Sequence, residues 1–207
     1  MVLEKIDYKI FSPTPVVGVD EVGRGCLAGP VVAGAVCLRS DELLSELTDS
    51  KLLSEARREI LAESIQQHHW YGIGMATVEE IEKINILQAS FLAMYRAIQA
   101  LEKNMQSVAG HIVVDGPYKI PTTISGQVSW MQTPLIKGDL RCAPISAASI
   151  VAKVYRDQLM KKMAQEYPEY GFEKHKGYAS PTHKASIKKF GPTVVHRKTF
   201  KGVSEFC

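Results

Sequence analysis

Runs of β-branched and small apolar residues recur along the chain at lengths that are typical of strands. Glycine, proline or polar residues bound each run, and two of the runs end in an aspartate beside a glycine. On this basis five strands are predicted, at 15–20, 31–38, 71–77, 111–116 and 133–139.

Two of the segments between these strands carry helix signals. Ser54 is a suitable N-cap for a helix over 55–68. Thr77 and Glu80 have the spacing of a capping box, and apolar residues follow at steps of three and four as far as Leu101. The sequence therefore predicts one helix before the third strand and a longer one after it.

A further helix is predicted from Ser146 onward, in the run AASIVAKVYRD. Its apolar residues fall on one side, and Ser149, Lys153 and Arg156 fall on the other. Lys153 and Arg156 either belong to a solvated helix face or contact a ligand. The order of strands and helices predicts an α/β fold in which helices pack on a mixed sheet.

Composition narrows the class of protein. The 207 residues are 45% hydrophobic and 23% charged, with a net charge of +3, as in ordinary globular chains. Charged residues interrupt the first apolar stretch, whereas a secretory signal needs about 7–15 uninterrupted apolar residues. A cytoplasmic location without membrane contact is therefore expected. The four cysteines lack metal-ligand spacing, which argues against a zinc ribbon or a redox motif.

The charge is distributed unevenly. Residues 151–207 contain 12 Lys and Arg against 5 Asp and Glu, so the excess of basic residues is concentrated in the last quarter of the chain. Basic segments that contain aromatic residues can neutralise phosphates, although a solvated basic surface has the same composition. His175, His183 and His196 lie in this part and are predicted to be surface or loop residues without a catalytic role.

Four acidic residues fall at or just beyond predicted strand ends. Asp20 and Glu21 follow the first strand, and Asp115 and Asp139 end the fourth and fifth. Ligands bind at strand ends in open α/β sheets, and clustered carboxylates need cations to offset their repulsion. Hard oxygen ligands of this kind suit Mg²⁺ or Mn²⁺, and two such ions are used in phosphodiester cleavage.

The pair Asp20 and Glu21 raises a geometric problem. Adjacent residues on a regular strand point to opposite faces, so we expect the strand to end or bulge between them, helped by Gly23 and Gly25. The spacing of the same glycines and Ala28 also matches a dinucleotide-binding fingerprint. A strand follows at 31–38 instead of the required helix, which excludes that interpretation.

These residues resemble the bacterial ribonuclease HII family, the type 2 ribonucleases H. The resemblance covers residues 16 to about 200 and rests on six blocks in the family's order, which are DEVGRG (20–25), DSK (49–51), VDG (114–116), KGD (137–139), ISAASIVAKVYRD (145–157) and HKGYAS (175–180). It implies a ribonuclease H-like, mixed five-stranded sheet flanked by helices, with a C-terminal helical extension. A single domain over 1–207 is expected, with a basic helical portion from about 160 to 207 packed on it.

The resemblance also implies roles for individual residues. Four carboxylates would be both catalytic and metal-binding, and would hold two Mg²⁺ or Mn²⁺ ions: Asp20, Glu21, Asp115 and Asp139. The turn residues Gly23, Arg24 and Gly25 would contact the 2′-hydroxyl and phosphates at an RNA–DNA junction. Tyr178 would stack on the deoxyribose that follows the ribonucleotide. Four further residues would lie along the phosphates: Lys51, Ser146, Ser149 and Lys153.

The implied activity is that of an endoribonuclease. It would cut the RNA strand of RNA/DNA hybrids, and the 5′ side of single ribonucleotides in duplex DNA, leaving 5′-phosphate and 3′-hydroxyl ends. Such an enzyme removes ribonucleotides and RNA primers from DNA, and it is expected to be a monomer. Two alternatives stay open, a metal nuclease of related fold with another nucleic-acid substrate and a non-catalytic nucleic-acid-binding module.

Overall fold

A computed structural model describes residues 4–48, 50–125 and 130–207. Its strands form one five-stranded sheet in the order β3-β2-β1-β4-β5. Their bounds are Val16–Val22 for β1, Val31–Cys37 for β2, Trp70–Ala76 for β3, His111–Asp115 for β4 and Met131–Leu135 for β5. β1 is antiparallel to β2, and β2 to β3, whereas β1, β4 and β5 run parallel. The prediction of a mixed sheet is confirmed.

Helices connect and cover these strands. Their bounds are Glu55–His68 for α1, Val78–Met105 for α2, Thr122–Ser125 for α3, Gly138–Arg141 for α4, Ala143–Glu166 for α5, Phe172–His175 for α6 and Pro181–Phe190 for α7. Single 3₁₀ turns lie at Tyr8–Ile10, Ser50–Leu52, Pro168–Tyr170 and Ser204–Phe206. Within the described ranges, no helix is long and apolar enough to cross a bilayer.

The predicted helix starts are set by local hydrogen bonds. The Ser54 side chain accepts from the Arg57 amide at the start of α1, and Thr77 and Glu80 form both bonds of the capping box of α2. α2 is interrupted at Asn85, whose φ of 66° is not helical and whose side chain accepts from two following amides. Both predicted caps are therefore confirmed.

The fifth strand and the last long helix differ from their predicted bounds. β5 ends at Leu135 because Lys137 adopts a left-handed conformation, with a φ of 57°, and α4 begins at Gly138. Asp139 accordingly lies in a helical turn and not at the end of a strand. α5 begins at Ala143, three residues before the predicted start at Ser146.

The sheet lies between two helical layers. α2 packs on one face over an apolar cluster that includes Val17, Val19 and Val114. On the other face α5 passes so close to β1 that a Cβ on Gly18 would lie 2.1 Å from the Pro144 carbonyl carbon. A side chain at Gly18 would separate α5 from the sheet, so this glycine sets the distance between α5 and the strand that carries the first acids.

The C-terminal portion shares an apolar cluster with the β1–β2 connection. Leu27 and Ala28 from that connection pack with Met160 of α5 and with Phe172 and Ile187 from the chain beyond it. The backbone of this portion also bonds the connection directly, through the Arg197 amide and the Leu27 carbonyl at 2.8 Å. The basic tail is thus packed against the turn that follows the first acids.

Candidate active site

Three of the four predicted acids meet at one end of the sheet. β1 and β4 are parallel and pair as far as Val19 and Val114, so Asp20 and Asp115 are the next residues on neighbouring strands. Asp115 then holds Asp139, because its Oδ1 accepts from the amides of Gly138 at 2.7 Å and of Asp139 at 3.3 Å. The short helix α4 therefore brings the third acid to this edge.

Glu21 lies on the other face of the sheet, and the expected break before it is wrong. β1 continues in regular antiparallel register through both acids, with Asp20 opposite Gly34 and Glu21 opposite Ala33. Asp20 faces α5, where the nearby Ser149 hydroxyl partly offsets the rise in its pKa, whereas Glu21 borders a small cavity on the α2 face that Asp115 also lines. The ladder to β2 holds the backbone straight until Gly23, where φ reaches 95°.

The electrostatics of these carboxyls are unfavourable without a bound cation. Burial and the charges of Glu21 and Asp115 raise the pKa of Asp20 well above its usual value. Burial raises the pKa of Glu21 to about 7, although the Arg24 guanidinium opposes the shift. Burial also raises the pKa of Asp115, and backbone amide bonds partly offset this. Ionised acids at this edge therefore repel one another.

This donor set fits hard divalent cations. Carboxylate oxygens are the ligands that Mg²⁺ and Mn²⁺ prefer, and a cation would relieve the repulsion that raises the pKa values. Within the described part of the chain, no three His, Cys, Asp or Glu side chains are grouped closely enough to enclose an ion. Mg²⁺ sites commonly keep waters or substrate oxygens as the remaining ligands.

Two cationic side chains approach the acids from opposite sides. Arg24 Nη1 lies 3.3 Å from Glu21 Oε1, and Lys51 Nζ lies 3.8 Å from Asp139 Oδ2. Both bases are largely exposed, so each is accessible to an approaching phosphate. Asp49, the first residue of the DSK block, lies outside the described residues.

The serines of α5 hold the acids from inside and do not face the surface. Ser146 is fully buried and donates to the carbonyl of Asp139 at 2.6 Å. Ser149 is also buried and bonds the Ser50 hydroxyl at 3.0 Å, and its hydroxyl partly offsets the rise in the pKa of Asp20. In this structure both hydroxyls bond partners inside the protein, and the expectation that these two serines lie along phosphates stays a prediction.

We call the end of the sheet at which Asp20, Glu21, Asp115 and Asp139 lie the carboxyl edge. The backbone of the Gly23–Gly25 turn lies next to it. Gly23 is required by the fold, because a Cβ there would lie 2.2 Å from Arg156 Nε and its φ is positive. Gly25 meets no such constraint, since a Cβ there has no atom within 4 Å. Its small size leaves open space in front of the chain, which suits close approach by a ligand. Arg24 between them is exposed.

Tyr178 lies beside this turn, because it pairs with Cys26 in an antiparallel bridge. Its ring is 38% exposed, and Lys153 Nζ lies 5.6 Å from the ring centroid. Lys153 is itself half-buried and bonds Asp157 at 2.7 Å. Tyr178 is therefore next to the turn that follows the first acids, with Lys153 beside its ring.

Two buried arginines support the turn from below, and sequence reasoning missed both. Arg156 donates to the carbonyls of Ala28, Pro30 and Lys176 at 2.8–3.1 Å. Arg197 donates twice to Gly29 and once to Arg24 at 2.8–3.0 Å. Both are fully buried, so the interpretation of Arg156 as part of a solvated face is wrong. Their hydrogen-bond partners are distant in sequence, and no local pattern signals them.

Two of the three histidines in the basic part are buried. His183 and His196 have no exposed surface; the expectation of a surface or loop residue is wrong for His183, which lies on α7, whereas His196 lies in a loop. Their ring nitrogens bond each other and nearby backbone groups, which removes the need for water. His175 is half-buried and stacks on His183.

Comparison with known proteins gives a consistent result. The family described as "Ribonuclease HII" matches residues 17–203. A ribonuclease HII of Fusobacterium nucleatum is 50% identical over 187 residues, which are 89% of this chain and 85% of that protein. A ribonuclease HII of Zymomonas mobilis is 46% identical, and the match covers 99% of this chain and 92% of that protein. The crystal structure of ribonuclease H2 from Pyrococcus horikoshii superimposes with a TM-score of 0.74, at 27% identity, over 92% of this chain and 96% of that one.

Proposed function

The chain belongs to the ribonuclease HII family and is an endoribonuclease of RNA/DNA hybrids, and we propose that it also cuts on the 5′ side of single ribonucleotides in duplex DNA. The observation that supports this is the adjacency of a carboxyl edge and an open glycine turn. Asp20, Asp115 and Asp139 meet at the edge, and Gly25 leaves space beside them.

The carboxyl edge supplies the hydrolytic part of the proposal. Asp20, Glu21, Asp115 and Asp139 would hold Mg²⁺ or Mn²⁺, which when bound supply the charge that activates a water and stabilises the leaving oxygen. Ser149 lies near the Asp20 carboxyl and lowers its pKa, and Ser146 donates to the Asp139 backbone carbonyl. Attack in line on phosphorus then leaves a 5′-phosphate and a 3′-hydroxyl.

The turn and its neighbours supply the recognition part. Arg24 and Lys51 would bind phosphates on either side of the acids, a role supported by the exposure of both side chains. The backbone from Gly23 to Gly25 would contact the 2′-hydroxyl, the group that distinguishes a ribonucleotide from its deoxy neighbour. Tyr178 would stack on the next sugar, with Lys153 beside its ring.

Mapping the cut in a DNA duplex with one ribonucleotide tests substrate, position and chemistry together. With Mg²⁺ or Mn²⁺ we expect cleavage on the 5′ side of the ribonucleotide, with a 3′-hydroxyl upstream and a 5′-phosphate on the ribonucleotide. A cyclic phosphate product would show attack by the 2′-hydroxyl and overturn the mechanism. Equal cleavage of duplex DNA or duplex RNA would identify a related nuclease, and a gel shift without shortening would identify a binding module.

The arrangement of the chain remains part of this proposal. We propose one domain over 1–207 with the portion from about 160 to 207 packed on it, in agreement with the shared cluster of Leu27, Met160 and Phe172. The monomeric state and the cytoplasmic location stay predictions. Light scattering of the purified chain, alone and with a hybrid duplex, tests the first.

A further inference from the structure

Two buried imidazoles below the Tyr178 turn have no part in the function proposed above. His183 lies on α7 and His196 in the C-terminal segment. Their Nε2 atoms are 3.1 Å apart, a hydrogen-bond distance at which one nitrogen carries a proton and the other accepts it. The pair therefore has a direction, which its other two nitrogens reveal.

Backbone groups at the two ends fix that direction. The Thr193 amide can only donate, and it bonds His196 Nδ1 at 3.0 Å. The Tyr178 carbonyl can only accept, and it lies 2.9 Å from His183 Nδ1. Because a neutral imidazole has one donor and one acceptor nitrogen, His196 carries its proton on Nε2 and His183 carries its proton on Nδ1.

The surroundings of the pair favour neutral rings. Tyr170 lies 4.7 Å from His196 and Phe172 lies 5.4 Å from His183, measured between ring centroids. His175 stacks on His183 at 4.5 Å. Burial lowers the pKa of both buried histidines to about 4, so each bears a single ring proton at neutral pH. The series of hydrogen bonds from the Thr193 amide through the two rings to the Tyr178 carbonyl therefore contains no charged group.

This chain of hydrogen bonds joins the two segments that lie on either side of the β1–β2 connection. The Leu27 amide donates to Gly177 at 2.8 Å on one flank, and the Gly29 amide donates to Val195 at 2.8 Å on the other. His183 bonds the first flank at Tyr178, and His196 belongs to the second. The imidazole pair thus joins, from behind, the two segments between which the connection is held.

We propose that His183 and His196 are positioning residues that hold Tyr178 beside the Gly23–Gly25 turn and so set the selectivity for an RNA–DNA junction. The inference rests on the proposed function, in which Tyr178 contacts the sugar that follows the ribonucleotide. Backbone groups bond both ends of this hydrogen-bond chain, and the Thr193 hydroxyl also lies 3.0 Å from His196 Nδ1, so the two rings have one arrangement in which the amide donor and the carbonyl acceptor are both paired. Loss of that arrangement leaves the Tyr178 carbonyl with the Ser180 amide at 2.8 Å and without its bond to α7, which lets the Tyr178 ring move relative to the turn.

Nitrogen NMR of the ¹⁵N-histidine-labelled protein at pH 7 tests the chain without any substrate. We expect His183 to carry its proton on Nδ1 and His196 to carry its proton on Nε2. The opposite tautomers, or a charged ring at either position, would overturn the proposal. The tautomers are measured without any assay of activity. The experiment therefore distinguishes an error in the proposed hydrogen bonds from an error in the proposed function.

Variants of His183 test the link to selectivity. His183→Leu removes both hydrogen bonds, and we expect the ratio of kcat/KM for a single-ribonucleotide duplex to that for a long hybrid to fall about tenfold, since displacements near 1 Å can cost up to about 10²-fold. His183→Asn keeps an N–H near the Nδ1 position and is expected to retain the ratio within about twofold. Because Asn keeps the donor, it remains informative if the leucine variant does not fold.

A matched control is available at the opposite end of the sheet. His69 is also buried and accepts from the Arg39 amide, so His69→Leu removes a buried imidazole far from the turn. It should leave the ratio unchanged. An unchanged ratio in His183→Leu, alongside a lowered ratio in Tyr178→Ala, would overturn the positioning role. If the wild-type protein does not cut the single-ribonucleotide duplex, the selectivity part is overturned together with the proposed function, while the NMR result still decides the tautomers.

Discussion

The carboxyl edge and the support below the turn both contain buried ionisable groups, but they are satisfied in opposite ways. At the edge, burial and mutual repulsion raise the pKa values of Asp20, Glu21 and Asp115. Below the turn, Arg156 and Arg197 donate to backbone carbonyls, their sequence-distant hydrogen-bond partners. The edge therefore depends on a ligand for its stabilisation, whereas the support is completed by the fold.

The difference separates groups that react from groups that position. Carboxylates that repel one another destabilise the free protein. A bound cation removes this repulsion and so stabilises the active complex. Each nitrogen of the two buried guanidiniums already has a carbonyl partner within the fold, so the arginines hold the turn in a fixed shape without a ligand. Substitutions should accordingly affect activity at the edge and stability below the turn.

The largest effect is expected for loss of an edge carboxylate. Asp20→Asn should lower kcat on an RNA/DNA hybrid by at least about 10²–10³-fold, the loss typical when one group that stabilises transition-state charge is removed. Hybrid affinity should not fall, because the amide removes a charge that repels phosphates. Single-turnover assays with a binding titration measure both quantities.

A surface acid supplies the control for this variant. Asp41 is exposed and pairs with Lys9. Asp41→Asn should leave kcat unchanged. Retained turnover in Asp20→Asn and in Asp115→Asn would place the active site elsewhere.

An identical substitution at two arginines should sharpen the comparison further. Arg197→Met leaves the carbonyls of Arg24 and Gly29 unpaired, at about 1–3 kcal/mol for each buried group. We expect the free energy of unfolding to fall by about 3 kcal/mol, which lowers Tm by about 6–12 °C in a chain of this size. Calorimetry or denaturant titration measures the change.

Arg24→Met is the matched variant on the exposed side of the turn. Its guanidinium contacts Glu21 at 3.3 Å, and exposed pairs contribute about 0–1 kcal/mol. We expect near wild-type stability with a raised KM for hybrid. Equal stability losses in the two variants would contradict the division between positioning and reacting groups.

The smallest expected effect is a pH-dependent gain in stability at the edge. The pKa of Glu21 is about 7 in the fold, above the ordinary value of 4.5. The folded state therefore holds an extra proton between these values, and its stabilisation is lost as pH rises from about 4.5 to about 7. Glu21→Gln lacks this loss, so in EDTA it should become more stable than wild type across that window, by on the order of 1–2 kcal/mol.

Comparing variant with wild type at each pH removes other contributions to the profile. His183 and His196 have lowered pKa values, so their stabilisation is lost as pH falls, but both are present in the two proteins. Adding Mg²⁺ at pH 7.5 should raise the Tm of wild type more than that of Glu21→Gln. A difference in Tm that does not vary with pH would argue against an ionised, repelling edge.

Local patterns predicted much of the fold. The Ser54 cap and the Thr77–Glu80 capping box lie where predicted, because each depends on bonds within three residues. The five strands were predicted for a similar reason, since β-branched runs fit a pleated surface wherever they are paired. The left-handed Lys137 that ends β5 gave no comparable signal.

The site was predictable to the extent that strand ends and motifs are visible in the chain. Asp20 and Asp115 follow paired residues of neighbouring strands, as the pattern of apolar runs ending in acids indicated. The expected break between Asp20 and Glu21 is wrong because the ladder to β2 extends beyond the ladder to β4. That extension depends on a partner strand, which the sequence of β1 does not specify.

The amino-acid order alone determined the existence of the five strands, the starts of α1 and α2, the positions of Asp20 and Asp115 near the ends of β1 and β4, and the family. Only the tertiary structure decided that Arg156, Arg197, His183 and His196 lie inside the protein. A polar side chain is buried when hydrogen-bond partners meet it, and the partners of Arg156 and Arg197 include carbonyls 126 to 173 positions away in the chain. Such partners are assembled by packing of whole segments, so no window of the sequence contains them.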